Sequence, residues 1–186
     1  MKKITLSILA LFFAVGLSAQ THFGIKGGLN FNSLKDVEWK NNNSTGWHAG
    51  ILLQTKLPLG FAFQPEVLYS VKSFNLWWND AKLKFNYIEV PLNIQWGIDL
   101  IIFRPYVIAA PYFSYLLSVG DSKKEWKGAK SIDYGFGLGV GIDIWKLQVT
   151  GKYNWGFGNL GDIKSSDWKV NDSKLQGLQL SLGFLF

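Results

Sequence analysis

From just after residue 20 to its last residue, the chain alternates apolar with small or polar side chains in stretches of about ten residues. The connections between these stretches are alternately long and short, and seven connections imply eight strands. Successive strand residues point to opposite faces, so each stretch has one apolar and one polar face. The last strand ends on Phe184-Leu185-Phe186, with the aromatics on the apolar parity. The pattern predicts an all-β fold, an eight-stranded antiparallel up-and-down transmembrane β-barrel.

The alternation begins only after a different kind of segment. Lys2 and Lys3 precede an apolar run, Ile4 to Leu17, and the small residues Ser18 and Ala19 follow. The run is short of the roughly 20 apolar residues a spanning helix needs. It reads as an export signal, residues 1–20, cleaved from a barrel domain of residues 21–186. Losing Lys2 and Lys3 lowers the formal charge from +6 to +4, which calls for no nucleic-acid partner. The absence of cysteine excludes disulfides, thiolate metal sites and a lipidated N-terminal cysteine.

Seven of the expected strands have assignable faces. The clearest is the sixth, where Ile132, Tyr134, Phe136, Leu138, Val140, Ile142 and Ile144 oppose Asp133, Gly135, Gly137, Gly139, Gly141 and Asp143. The fifth, about Phe103 to Leu117, is apolar on both parities and its faces stay unassigned. The third also has a settled alternation, but Pro65 interrupts it, as Pro91 and Pro111 interrupt the fourth and fifth. Each proline removes a ladder donor, and local bulges are the expected accommodation.

Alternation does not say which face is outside, since a soluble ligand-binding barrel carries its apolar face inward. Three features favour apolar-out. The second face is rich in glycine, which suits a crowded lumen better than a wet surface. Aromatics of the apolar parity gather at both ends of the strands, as in the girdles of membrane barrels. The long and short connections also alternate, as they do when short turns face the periplasm.

The lumen parity carries Lys26, Lys56, Lys72, Glu66, Glu89, Asp133, Asp143 and Lys152. Lys26, Glu66, Glu89 and Lys152 are expected to form a compensating network near the middle, because unpaired buried charges are costly. Eight strands leave an interior just filled by side chains, so a plug is favoured over a narrow ion path. His48, with Ser44, Ser70 or Glu38 nearby, is the best available base for a lipid-modifying reaction. No local motif supports a triad, and no enzymatic activity, catalytic residue, cofactor or metal site is expected.

The long loops repeat an acid-Trp-Lys triplet: Glu38-Trp39-Lys40, Glu125-Trp126-Lys127 and Asp167-Trp168-Lys169. The remaining long loop holds Trp77-Trp78-Asn79-Asp80. These tryptophans and lysines read first as anchors at the lipid headgroups and second as a rim for a binding partner.

The segments Gln64-Pro65-Glu66-Val67-Leu68-Tyr69-Ser70 and Tyr87-Ile88-Glu89-Val90-Pro91-Leu92 carry a further likeness. So do Pro105-Tyr106, Ala110-Pro111-Tyr112, Asp133-Tyr134-Gly135, Gly139-Val140-Gly141, Lys152-Tyr153-Asn154 and Gly158-Asn159. In this order and spacing the chain resembles the PorT-like outer-membrane β-barrel family of Bacteroidetes. The resemblance implies a small barrel in the outer membrane and prolines at positions such barrels tolerate. Where that family often has Arg-Tyr in the seventh strand, this chain has Lys152-Tyr153. The expected role is non-enzymatic, envelope structure or surface binding through the long loops, with an accessory subunit of an envelope or secretion complex, or a narrow pore, as alternatives. Expected partners are outer-membrane lipid, the barrel-assembly machinery during insertion and an envelope protein.

Overall fold

The computed structural model describes residues 20–34, 44–75, 82–120, 132–157, 163–165, 168–170 and 175–186. Eight strands close into one antiparallel barrel: β1 (Thr21–Leu34), β2 (Ser44–Lys56), β3 (Phe61–Asn75), β4 (Lys82–Gly97), β5 (Phe103–Gly120), β6 (Ile132–Ile144), β7 (Leu147–Gly156) and β10 (Leu175–Leu185). Each pairs with its neighbour in sequence, and β1 closes the circle against β10, from Gly24↔Leu185 to Leu34↔Leu175. Closure leaves no barrel strand with an unpaired edge, the condition for carrying strands through lipid. A small hairpin in the last long connection, β8 (Ile163–Ser165) with β9 (Trp168–Val170), lies outside the expected eight strands.

The faces follow the alternation. Ile25, Leu29, Ile51, Val67, Ile94, Leu138, Val149 and Leu180 are exposed on the outside, while Lys26, Asn30, Leu52, Glu66, Asn93, Lys152 and Ser181 are buried inside. Val71 keeps the outward parity but is only 6% exposed; its cross-strand partner is Trp47 of the same outward row. On β5, which sequence left undecided, Arg104, Tyr106, Ile108, Ala110, Tyr112 and Ser114 face in, and Phe103, Val107, Phe113, Tyr115 and Leu117 face out. Both parities are apolar because the inward Tyr106, Ile108 and Ala110 form a small core of their own.

The prolines correct an expectation. The β2–β3 ladder is interrupted between Leu52↔Glu66 and Thr55↔Phe63, beside Pro65. The β3–β4 ladder is interrupted between Pro65↔Leu92 and Leu68↔Glu89, beside Pro91, and the β4–β5 ladder between Pro91↔Tyr112 and Ile94↔Ala109, beside Pro111. Register is unchanged across each gap, so these are interruptions rather than bulges. A missing N–H removes a bond without requiring an extra residue. The β4–β5 ladder does shift register, but elsewhere, where Asn86↔Ser118 gives way to Tyr87↔Leu116. One gap is filled from the side: the Asn93 amide donates to the Gln64 carbonyl at 2.9 Å, next to Pro65.

Candidate functional site: the lumen and the two barrel ends

The middle of the lumen is built around Glu66. Lys26 donates to its Oε1, the Gln64 amide donates to the same oxygen at 2.6 Å, and Lys152 Nζ stands 4.0 Å from Oε2. Lys152 also donates to Asn93 Oδ1 at 2.9 Å. Glycine makes room for these long side chains. Lys26 lies across from Gly50 and Gly183, and a Cβ on Gly139 would meet Lys152 Cγ at 2.7 Å. Lys26, Glu66 and Lys152 thus come together as one cluster. Glu89 does not join it. It pairs with Lys72 at 2.6 Å, nearer the long loops, and the Lys72 ammonium sits 4.9 Å from the centroid of the Tyr87 ring. Register does not dictate this: Glu89 pairs with Leu68 across the β3–β4 ladder, two residues from Glu66 and four from Lys72, and its carboxylate reaches toward the loop end to meet the lysine.

Buried side chains in the lumen comprise the cations Lys26, Lys72, Lys152 and Arg104 and the anions Glu66, Glu89, Asp133 and Asp143. The described lumen is therefore formally neutral with His48 uncharged. That balance offsets part of the desolvation each charge suffers.

Above the Glu66 cluster, the His48 ring is enclosed. Its Nε2 lies 2.8 Å from Ser181 Oγ and its Nδ1 2.9 Å from Asn30 Oδ1. The Asn30 amide nitrogen donates to Ser70 Oγ at 2.9 Å, which fixes Oδ1 as the acceptor facing His48. The network thus assigns the proton to Nδ1 and makes Nε2 the acceptor for the serine hydroxyl. Ser181, Gly28 and His48 occupy one row across β10, β1 and β2, and a Cβ on Gly28 would meet His48 Cε1 at 2.7 Å. The imidazole therefore crosses a glycine to reach its serine. Its serine is Ser181, not the Ser44 or Ser70 expected from sequence, and Glu38 lies outside the described residues. The order hydroxyl, imidazole, amide resembles that of an activated nucleophile. Yet His48 is 1% and Ser181 5% exposed, so the pair is packed inside the wall rather than presented to a substrate.

The two ends of the lumen differ. Toward the short turns, Gln54, Gln64, Gln95 and Gln148 are fully buried and bonded to one another. Gln64 and Gln148 exchange two bonds, at 2.9 and 3.0 Å, and Gln95 donates to Gln64 Oε1 at 2.9 Å. Asp143 accepts from Gln54 at 3.1 Å and Gln148 at 3.0 Å, and Arg104 reaches Gln95 Oε1 at 3.1 Å and the Gly60 carbonyl at 2.9 Å. Toward the long loops, Asn30, Lys72, Glu89, Tyr112, Asn154 and Gln179 line a polar cup instead. The barrel is closed at one end by a bonded amide layer and indented at the other.

Sequence reasoning placed Arg104 in no role, because the double apolar parity of β5 hid its face. A signal was nevertheless present. The alternate glycines of β6 need bulky neighbours over them, and Tyr112↔Gly135 and Tyr106↔Gly141 are those pairs. Among the described residues no group of three or more His, Asp or Glu side chains is arranged to hold a metal.

Of the loop residues, Trp39, Lys40, Trp77, Trp78, Trp126 and Lys127 lie outside the described residues. Trp168 and Lys169 fall on β9, where they pair with Ser165 and Lys164.

Outside, the two aromatic belts are in place. Phe23 stacks on Phe186 at 5.9 Å at the turn end, and Trp47–Tyr69 and Tyr153–Trp155 pack at 5.7 and 4.8 Å toward the loops. An apolar exterior between two aromatic belts is the surface a bilayer requires.

Solved structures share this architecture. Neisserial surface protein A (NspA) aligns with a TM-score of 0.57 at 13% identity, covering 91% of this chain and 99% of that one. The outer membrane enzyme PagL aligns with a TM-score of 0.52 at 9% identity, covering 89% and 99%. At such identities the likeness is one of fold, and the neighbours include an enzyme. No curated protein matches the sequence. The model of the outer membrane protein beta-barrel domain matches residues 18–162. With its closed eight-stranded barrel and apolar exterior, this chain is an integral outer-membrane protein and belongs to that outer membrane protein beta-barrel domain family.

Proposed function

We propose that this protein is a non-conducting, non-enzymatic barrel whose work is done at its loop end, in envelope structure or surface binding. The observation that carries the reading is the layer of Gln54, Gln64, Gln95 and Gln148 with Asp143 and Arg104 across the turn end. Side chains so bonded fill an eight-stranded interior and leave ions no continuous wet route. The polar cup and the tryptophan- and lysine-bearing loops stand at the opposite end, where a surface partner would arrive. The same segments that resemble PorT-like barrels support placing the chain near that group within its family.

Two measurements test this. Purified protein in planar bilayers is expected to give no single-channel steps, and reproducible unitary conductance would replace the reading with a narrow pore. Extraction of the tagged protein from its native membrane in mild detergent is expected to return it without a stoichiometric envelope complex. A fixed-ratio partner would make it an accessory subunit. In that event, substituting Trp39, Trp126 and Trp168 together by serine tests the loops: unchanged recovery with lower barrel stability assigns those tryptophans to lipid anchoring.

A further inference from the structure

The short turns are where a barrel normally meets water, and the residues suited to such turns are Gly, Asn and Asp. Here the tips are large and apolar. Leu59 is 87% exposed, Ile101 fully exposed and Trp145 82% exposed. Leu59 and Trp145 hold left-handed backbone, with φ of 63° and 53°. That region is costly for bulky side chains and open to Asn or Gly. Both turns therefore sacrifice local conformational ease to present an apolar side chain outward.

The tips are held rather than loose. Asp99 pairs with Arg104 Nε at 3.4 Å and Lys56 at 3.6 Å, tying the β4–β5 turn to the lumen layer. Leu100 N donates to the Phe103 carbonyl at 3.1 Å, and Trp145 N donates to the Ile102 carbonyl at 3.3 Å, joining two turns. They are also distributed. The turns join β2 to β3, β4 to β5 and β6 to β7, and the remaining position on the circle holds Phe186 stacked on Phe23. Apolar groups thus occupy every station of this end, continuous with the aromatic belt of Trp96, Phe103 and Phe184 just inside it.

We infer that the turn end is seated in phospholipid, with Leu59, Ile101 and Trp145 inserted at the boundary between headgroups and acyl chains of the periplasmic leaflet. Three features select lipid over a protein partner. The ring surrounds the barrel, as a leaflet does, and it continues an existing lipid-facing belt. Trp145 also carries the Lys146 ammonium 5.8 Å from its ring centroid, the aromatic-plus-cation pairing of a headgroup anchor. The inference goes beyond the loop-end reading and does not depend on it.

The chain lacks cysteine, so single labels are clean. Leu59→Cys, Ile101→Cys and Trp145→Cys, each carrying a polarity-sensitive fluorophore, are reconstituted in phosphatidylcholine–phosphatidylglycerol vesicles. Val140→Cys, on the outward face of β6, serves as the embedded reference. Folding is checked by the heat-dependent gel shift of barrels, and Ile102→Cys replaces any tip variant that fails it. The expected result is strong quenching of all three tips by lipids with a nitroxide at shallow acyl carbons, and iodide accessibility at least threefold below that of the free dye. A tip as open to iodide as the free dye overturns the inference. Tips exposed in pure vesicles but shielded in native membranes also overturn it, in favour of a periplasmic protein.

Discussion

Tyr106 on β5 lies directly across from Gly141 on β6, and a Cβ built on Gly141 would stand 2.5 Å from Cζ of the tyrosine ring. The three atoms nearest that Cβ all belong to Tyr106, so the space glycine leaves is filled by one side chain. Gly141→Ala is therefore expected to cost about 1–3 kcal/mol through overpacking. In a Tyr106→Ala background the same change should cost nothing or stabilise, because glycine is a poor strand residue once its close neighbour is gone. Urea titration of the four proteins in lipid vesicles, followed by tryptophan fluorescence, measures the coupling. Additive effects would show that the ring and the glycine are independent.

Glu66 serves two buried ammonium groups, whereas Glu89 serves Lys72 in a pair about 8–9% exposed. Glu66→Gln keeps the shape but leaves Lys26 and Lys152 without their shared anion, an expected loss of about 3–5 kcal/mol. Lys72→Met should cost less, since its pair is less deeply buried than Lys26 and Glu66. Replacing Lys26, Glu66 and Lys152 together by methionine removes the desolvation along with the attraction and should restore most of the stability. Equal losses for Glu66→Gln and Lys72→Met would remove the central role of Glu66.

These pairings mark the limit of what the sequence discloses. Strand number, direction and most faces are legible because lipid on one side and charge on the other force a strict period of two. β5 is not, because its inward Tyr106, Ile108 and Tyr112 lie against the glycine-bearing face of β6, which makes both of its sides apolar. Parity names the lumen residues, including Lys26, Glu66, Glu89 and Lys152, but not who meets whom. That depends on the stagger between strands, which no single strand encodes. His48 finds Ser181, 133 residues away, for this reason, whereas Glu89 takes Lys72 although the ladder sets it nearer Glu66. The prolines were legible as donors removed, whereas their outcome, a gap instead of a bulge, depends on neighbouring ladders keeping one register.

His48 gives a prediction with two readouts. His48→Ala strips partners from Ser181 and Asn30 and uncovers Gly28, an expected loss of about 1–3 kcal/mol. Mass spectra of lipid A from membranes carrying wild type or variant should be identical, because the imidazole holds the wall together and meets no lipid. Loss of a deacylated or acylated species in the variant would reassign the Ser181–His48–Asn30 series as a reaction centre.

The interrupted ladders run through three successive strand pairs, beside Pro65, Pro91 and Pro111. Pairs are missing there at Leu53 and Gln54, at Val67 and Val90, and at Leu92 and Asn93, while β6 and β7 pair without a break from Gly135↔Gly156 to Ile144↔Leu147. Amides in a broken stretch open without the cooperative cost of their neighbours. Hydrogen exchange in bilayers, read residue by residue, should therefore be at least about tenfold faster at Leu53, Glu66 and Leu92, which lie opposite the three prolines, than in the middle of β6 and β7. Pro111→Ala returns a donor opposite Leu92 and should slow exchange there while leaving Leu53 unchanged. Uniform protection around the barrel would mean that the wall is equally bonded throughout and that the prolines cost it nothing.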